Sequence, residues 1–153
     1  MATPVDTSKV MCIMFRWQFL GLAVVFLWFM VGGVAHFISP EFFVNIMPPY
    51  IGWHLEIVYI SGVLEILGAL GILLPATRQL AGNCLFLLTI AVTPANIHMW
   101  MNPQLFPDVS EVFLTVRLIV QVLFLACIWW STRNPPVSGA EIALAGGRGG
   151  TLH

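Results

Sequence analysis

Hydrophobic residues in this chain fall in long continuous blocks, not in alternation, and four of the blocks are long enough to cross a bilayer. Phe19–Ala35 is uncharged, and with its flanks it predicts a first span over about 17–36, because roughly 20 apolar helical residues match the hydrocarbon core. Later blocks predict spans over about 54–74, 80–101 and 109–131. Gly33-Val-Ala35 has the small-x-small form of a signal cleavage site, but the apolar run before it is longer than a signal core and dense in Phe and Trp, so it reads as a retained helix. The expected fold is all-α, a four-helix transmembrane bundle forming one membrane domain over 1–136, followed by a Gly- and Ala-rich disordered tail over 137–153. No internal repeat is evident.

Between the spans, polar and proline residues set the local structure. Ser39-Pro40-Glu41 reads as a helix start: a hydroxyl cap, proline at the first position and an acid at the positive end of the dipole. Phe42–Met47 follows and Pro48-Pro49 stops it. The prediction is a short interfacial helix between helices 1 and 2, with Phe42, Phe43 and Met47 dipping into lipid, placed to act as a lid on the outer end. Pro75-Ala-Thr-Arg78 predicts a tight turn. Pro94, inside the third block, removes a backbone donor and predicts a kink, and Asn96 is near enough to satisfy a freed carbonyl.

Composition agrees with the pattern. Of 153 residues 59% are hydrophobic and 8% charged, with mean hydropathy +0.92; soluble domains carry about 25% charged residues, so the lipid bilayer is the first partner. A net charge of −1 lacks the basic footprint of nucleic-acid binding. Lys9, Arg16, Arg78 and Arg133 fall on one side of a four-span chain, while the 37–53 and 102–108 loops contain no Lys or Arg. The positive-inside rule then puts both termini in the cytoplasm, with Trp17, Trp129 and Trp130 at the inner interface and Tyr50, Trp53 and Trp100 at the outer one. Cys12, Cys84 and Cys127 have no C-x-x-C spacing and lie toward that inner side, which argues for packing thiols rather than dithiol redox chemistry.

The polar residues inside the blocks are the candidate chemistry. Glu65 sits mid-span and shares a helical face with His54 and Ser61, flanked by Gly62, Gly68 and Ala69. An ionisable group at that depth costs about 2.5–3.5 kcal/mol on insertion scales, so it faces other helices and seeks a partner. Arg117 lies at a similar depth by the 1.5 Å rise per residue, which predicts a Glu65–Arg117 ion pair, with His36 as the next candidate. His36, His54, Glu65, Asn96, His98 and Arg117 together form an expected polar cluster in the outer half of the bundle. Three functions could use it. Donors in an apolar pocket suit a quinone, with Glu65 exchanging a proton. Imidazoles with Met99 and Met101 suit copper(I), although these two methionines fall on different helical faces and packing is the simpler role for them. The third function is a non-catalytic subunit or assembly factor, in which the buried charges only hold the bundle together.

Gly33-Val-Ala-His36-Phe-Ile-Ser-Pro40-Glu-Phe-Phe43, Ser61-Gly-Val-Leu-Glu65-Ile-Leu-Gly68 and Pro94-Ala-Asn96-Ile-His98-Met99 resemble, in order and spacing, the DoxX-like integral membrane proteins. The resemblance runs from about Trp28 to Met101 and includes the arginine-bearing fourth span. It implies a four-helix membrane bundle and an accessory role in a membrane redox complex, with a membrane protein partner and His36, Glu65, Asn96 and Arg117 as the positions to carry over. It also implies a bacterial inner membrane. The absence of paired cysteines departs from the thiol-based members of that group. No metal centre is expected from the chain, and whether it is an enzyme, and through which residues, is left open by the sequence.

Overall fold

The computed structural model describes residues 7–133, with side chains from Arg16 onward. The expected disordered tail at 137–153, and the side chains of Lys9 and Cys12, lie outside the described residues. Six α-helices occur in the order α1 (Thr7–Ile38), α2 (Pro40–Asn45), α3 (His54–Leu73), α4 (Arg78–Ala91), α5 (Thr93–Met101) and α6 (Glu111–Thr132), with a 3-10 turn at Pro103–Leu105. Four stretches are long and apolar enough to cross a membrane: Arg16–Ile38, His54–Leu73, Arg78–Met101 and Glu111–Thr132. The protein is thus an all-helical, multi-pass bundle. Its α1 begins ten residues before the expected span; its 32 residues make a helix of about 48 Å at 1.5 Å per residue, longer than the hydrocarbon core is thick.

The third span is broken where Pro94 requires it. The α4 helix ends at Ala91, Val92 takes φ −85°, ψ −6° between the two helices, and Pro94 stands at the start of α5. Proline cannot donate to the carbonyl four residues earlier, but its missing donor is harmless in a first turn. Ser110 caps α6, its hydroxyl accepting from the Phe113 amide at 3.3 Å. Ser39, the expected cap of α2, makes no such bond; its own amide instead donates to the Ala35 carbonyl at 2.9 Å, extending the α1 hydrogen bonding by one residue. Proline at the first position of α2 already removes one of the donors a cap would have satisfied.

Around the bundle, α3 packs along α1 and α4, and α6 packs along α1, α4 and α5. Helices α3 and α6 therefore face one another across the diagonal. The half of the bundle at the α3–α4 turn, labelled inner as against the outer half at α2, is filled by Leu22, Val25, Phe29, Ala69, Ile72, Leu85, Phe124 and Ile128. A smaller apolar cluster of Ile46, Met99 and Leu114, flanked by Phe43, Phe106 and Val109, closes the outer end. Outward-facing Leu, Ile, Val and Trp side chains are broadly exposed, as a lipid-facing surface requires. Small residues let the helices approach. A methyl group on Gly33 would stand 2.9 Å from the Gly62 carbonyl oxygen, and one on Gly62 would stand 3.1 Å from the Gly33 carbonyl oxygen. That reciprocal contact brings the α1 and α3 backbones close together.

Helix ends on the inner side are tied by side chains. Thr77 Oγ1 donates to Gly71 O at 2.8 Å and Arg78 Nε to Ile72 O at 3.0 Å, satisfying carbonyls that the end of α3 leaves free. The Arg133 guanidinium lies 3.4 Å above the Trp129 ring and donates to Asn83 Oδ1 at 3.1 Å.

Candidate functional site

The polar residues of the outer half form two separate groups, one on each side of the bundle. The first lies in the α1–α3 seam. His36 and Glu65 are both buried, and His36 Nε2 stands 3.5 Å from Glu65 Oε1, the one ion pair among the described residues. On the other edge of the ring, His36 Nδ1 lies 3.0 Å from the Val58 carbonyl and 3.3 Å from Ser61 Oγ. The Ser61 hydroxyl donates to the same carbonyl at 2.9 Å. A carbonyl only accepts, so Nδ1 must carry a proton to bond it. With Nδ1 protonated, the edge between Nε2 and Oε1 is attractive only if it holds one more proton. Either an imidazolium faces a carboxylate, or a neutral imidazole faces a carboxylic acid. The pair is thereby built to share a single proton.

Glycines make room for this pair. A methyl group on Gly32 would meet Glu65 Oε2 at 2.8 Å, and one on Gly62 would meet His36 Cβ at 2.8 Å. Phe43 of α2 covers the imidazole from outside, its ring stacked at 3.9 Å between centroids and 17° between planes. The expected lipid-facing role of Phe43 is therefore corrected: Phe42 is exposed, but Phe43 is drawn inward by His36 and Met47 is only half-buried.

The second group ties α4–α5 to α6. Asn96 Nδ2 donates to Gln121 Oε1. Gln121 Nε2 in turn donates to Thr93 Oγ1 at 2.5 Å and to the Thr89 carbonyl at 3.2 Å, which also accepts from Thr93 Oγ1 at 3.1 Å. Both amide hydrogens of Gln121 are thus used at the proline break, where the helix loses regular backbone bonding.

Arg117 does not pair with Glu65. Its Nη1 donates to Met99 Sδ at 3.3 Å, and no carboxylate lies within ion-pair distance among the described residues. Depth along two helices matched, but α3 and α6 are diagonal, and Glu65 meets its neighbour α1 instead. Besides Arg117, two of the six expected cluster residues stand apart. His54 Nε2 donates to the Pro48 carbonyl at 3.2 Å, holding the loop before α3. His98 presents its ring edge-on to Phe106 and has a buried Nδ1 without a partner. His36, His54 and His98 thus serve separate places, Met99 is turned to Arg117 and Met101 is exposed.

Two open clefts lie at the outer ends of α5 and α6. One of about 560 Å³ is lined by Trp100, Met101, Pro103, Glu111, Leu114 and Thr115; the other, of about 470 Å³, is formed by the 103–111 loop. Neither includes His36, Glu65, Asn96 or Arg117. The residues that sequence reasoning left out of the cluster are Gln121, Phe43 and the Val58 carbonyl. Gln121 shares a helical face with Arg117 and could have been found from that; Phe43 has its aromatic character as a weak signal; a backbone carbonyl leaves none.

The fold and its buried polar layer define a four-span membrane protein with an ionisable pair in the outer half of one helix seam. Residues 24–132 match the family model described as Domain of unknown function (DUF8561). That match covers more than two thirds of the chain, and the protein belongs to this family. No curated protein and no solved structure matches the chain.

Proposed function

We propose that the protein is an accessory subunit of a membrane redox complex, in which the outer polar layer receives a quinone-type ligand. The observation that carries this reading is the His36–Glu65 pair, buried with Nε2 3.5 Å from Oε1; with the Nδ1 proton directed at the Val58 carbonyl, that contact is favourable only with one proton between the two atoms. Reduction of a quinone consumes protons and its oxidation releases them, and a pair poised between two protonation forms can supply or take up one. Arg117, a cation with no carboxylate partner among the described residues, supports the reading as a donor for a ligand carbonyl. The resemblance to DoxX-like proteins points to the same class, with a bacterial inner membrane as the setting and both termini cytoplasmic by the distribution of basic residues.

The test is extraction of the purified protein with organic solvent, followed by assay for quinone. A stoichiometric quinone that is lost in Glu65→Gln and Arg117→Gln supports the reading. A second reading, a non-catalytic structural or assembly subunit, is favoured by the closed state of the polar groups: Gln121 engages Asn96, and Phe43 and three glycines enclose His36 and Glu65. Co-purification of a stable membrane partner with no extractable quinone supports that one. Reporters fused after His153 and inserted near Asn45 test the orientation, the expected result being opposite sides of the membrane.

A further inference from the structure

We propose that α2 is a gate through which the His36–Glu65 pair exchanges its proton with water on the outer side, and that Phe43 is the gating side chain. The inference deepens the function proposed above and rests on its premise that this pair takes up and releases a proton. His36 lies two residues before the end of α1, so its Cα is within about 3 Å of the helix end along the axis. What covers it there is α2. The imidazole is buried at 7% exposure although it stands at the mouth of the bundle, and its outer face is occupied by the stacked Phe43 ring.

The cover is held lightly. The α2 helix has six residues and none of them is buried. Beyond the Phe43 stack, its anchors lie just after the helix: buried Ile46, packed with Met99 and Leu114, and Pro48, whose ring is buried and whose carbonyl accepts from His54 Nε2 at 3.2 Å. A segment with few buried contacts opens locally far more readily than the spans around it. The opposite side of the pair is closed by backbone: Gly33 and Gly62 bring α1 and α3 together at carbonyl contact distance, and the apolar core of the inner half lies below. Water thus has its shortest path from outside, past one ring. Other titratable groups on the surrounding elements, Glu41 on α2 with His54, Glu56 and Tyr59 on α3, form no ion pair with it among the described residues, and Glu41, Glu56 and Tyr59 are exposed.

Carbodiimides test the gate, because they react with protonated carboxyl groups and come in water-soluble and membrane-soluble forms. The full chain in vesicles is treated with each reagent, and adduct on the Glu65 peptide is followed by mass spectrometry, with Glu65→Gln as the blank. Phe43→Ala is expected to raise the water-soluble reagent's rate at Glu65 by about three- to tenfold, the range a lost aromatic stack would give, and to leave the membrane-soluble reagent's rate within about twofold. Ile46→Ala loosens the second anchor without touching His36 and is expected to act in the same direction. Phe43→Tyr keeps the ring and is expected to keep the wild-type rate. Equal acceleration by both reagents would mean that the bundle itself has loosened, and unchanged rates in both Phe43→Ala and Ile46→Ala would mean that α2 is not the barrier; either result overturns the gate. The rates are read whether or not a quinone is extracted, so failure of the ligand reading and failure of the gate are separate outcomes.

Discussion

The two seams of the outer half solve the same problem in different ways. Both bury polar groups in a membrane bundle. The α1–α3 seam brings two straight helices to backbone contact at Gly33 and Gly62 and places an ionisable pair beside that contact. The α5–α6 seam includes a proline break that neutral amides and hydroxyls bridge, with Gln121 reaching across to bond the disturbed backbone, while its one charge, Arg117, sits apart from the break against Met99. A carboxylate needs a partner held at short range and shielded from lipid, which the close glycine crossing supplies. A broken helix needs donors for its own carbonyls, and an amide on the neighbouring helix supplies those without introducing charge.

The sharpest way to break this contrast is to unpair the charge. Replacing His36 or Glu65 alone by Leu is expected to cost about 3–5 kcal/mol of unfolding free energy in detergent, because the survivor stays buried without its partner, and the double variant is expected to lose less than the sum of the two. Strict additivity would show that the two do not interact. Glu65→Gln sharpens the proton-sharing argument: its amide can donate to an unprotonated Nε2, so the loss is expected to stay within about 1 kcal/mol.

The glycine contact comes next. Gly62→Ala puts a methyl group 2.8 Å from His36 Cβ and 3.1 Å from the Gly33 carbonyl oxygen, and the overpacking is expected to cost about 1–3 kcal/mol. Gly52, beside which nothing lies within 4 Å of an added methyl group, serves as the control, with Gly52→Ala expected to leave the melting temperature essentially unchanged.

On the other seam, Gln121→Leu removes bonds to Thr89, Thr93 and Asn96 together. Hydrogen bonds between membrane helices average about 0.6 kcal/mol, so a loss of about 1–2 kcal/mol is expected, measurable by denaturant titration. A loss as large as that of the unpaired charge would erase the distinction between the seams. Smallest of all is the Glu65 and Arg117 cycle. Since Arg117 bonds Met99 and not Glu65, Glu65→Gln and Arg117→Gln are expected to add within about 0.5 kcal/mol.

Much of the architecture was legible in the residues themselves. Four apolar blocks of bilayer length, Pro94 inside the third and Ser39-Pro40-Glu41 after the first each produced the expected element, because length, hydropathy and missing backbone donors act locally and do not wait for a partner. The inward face of Glu65 was equally readable, since burying a carboxylate against other helices is cheaper than exposing it to lipid.

What the tertiary structure decided was which helix stands next to which. Depth along a span is a one-dimensional quantity, and by that ruler Arg117 suited Glu65; only the order of helices around the bundle sets α6 diagonal to α3 and gives Glu65 to His36 of α1. The same holds for Phe43, whose sequence context suits lipid until an imidazole appears within stacking range, and for His54, which shares a face with Glu65 but ends on the Pro48 carbonyl. Hydropathy and propensity are properties of residues along the chain, whereas pairing depends on which surfaces the packed helices bring together.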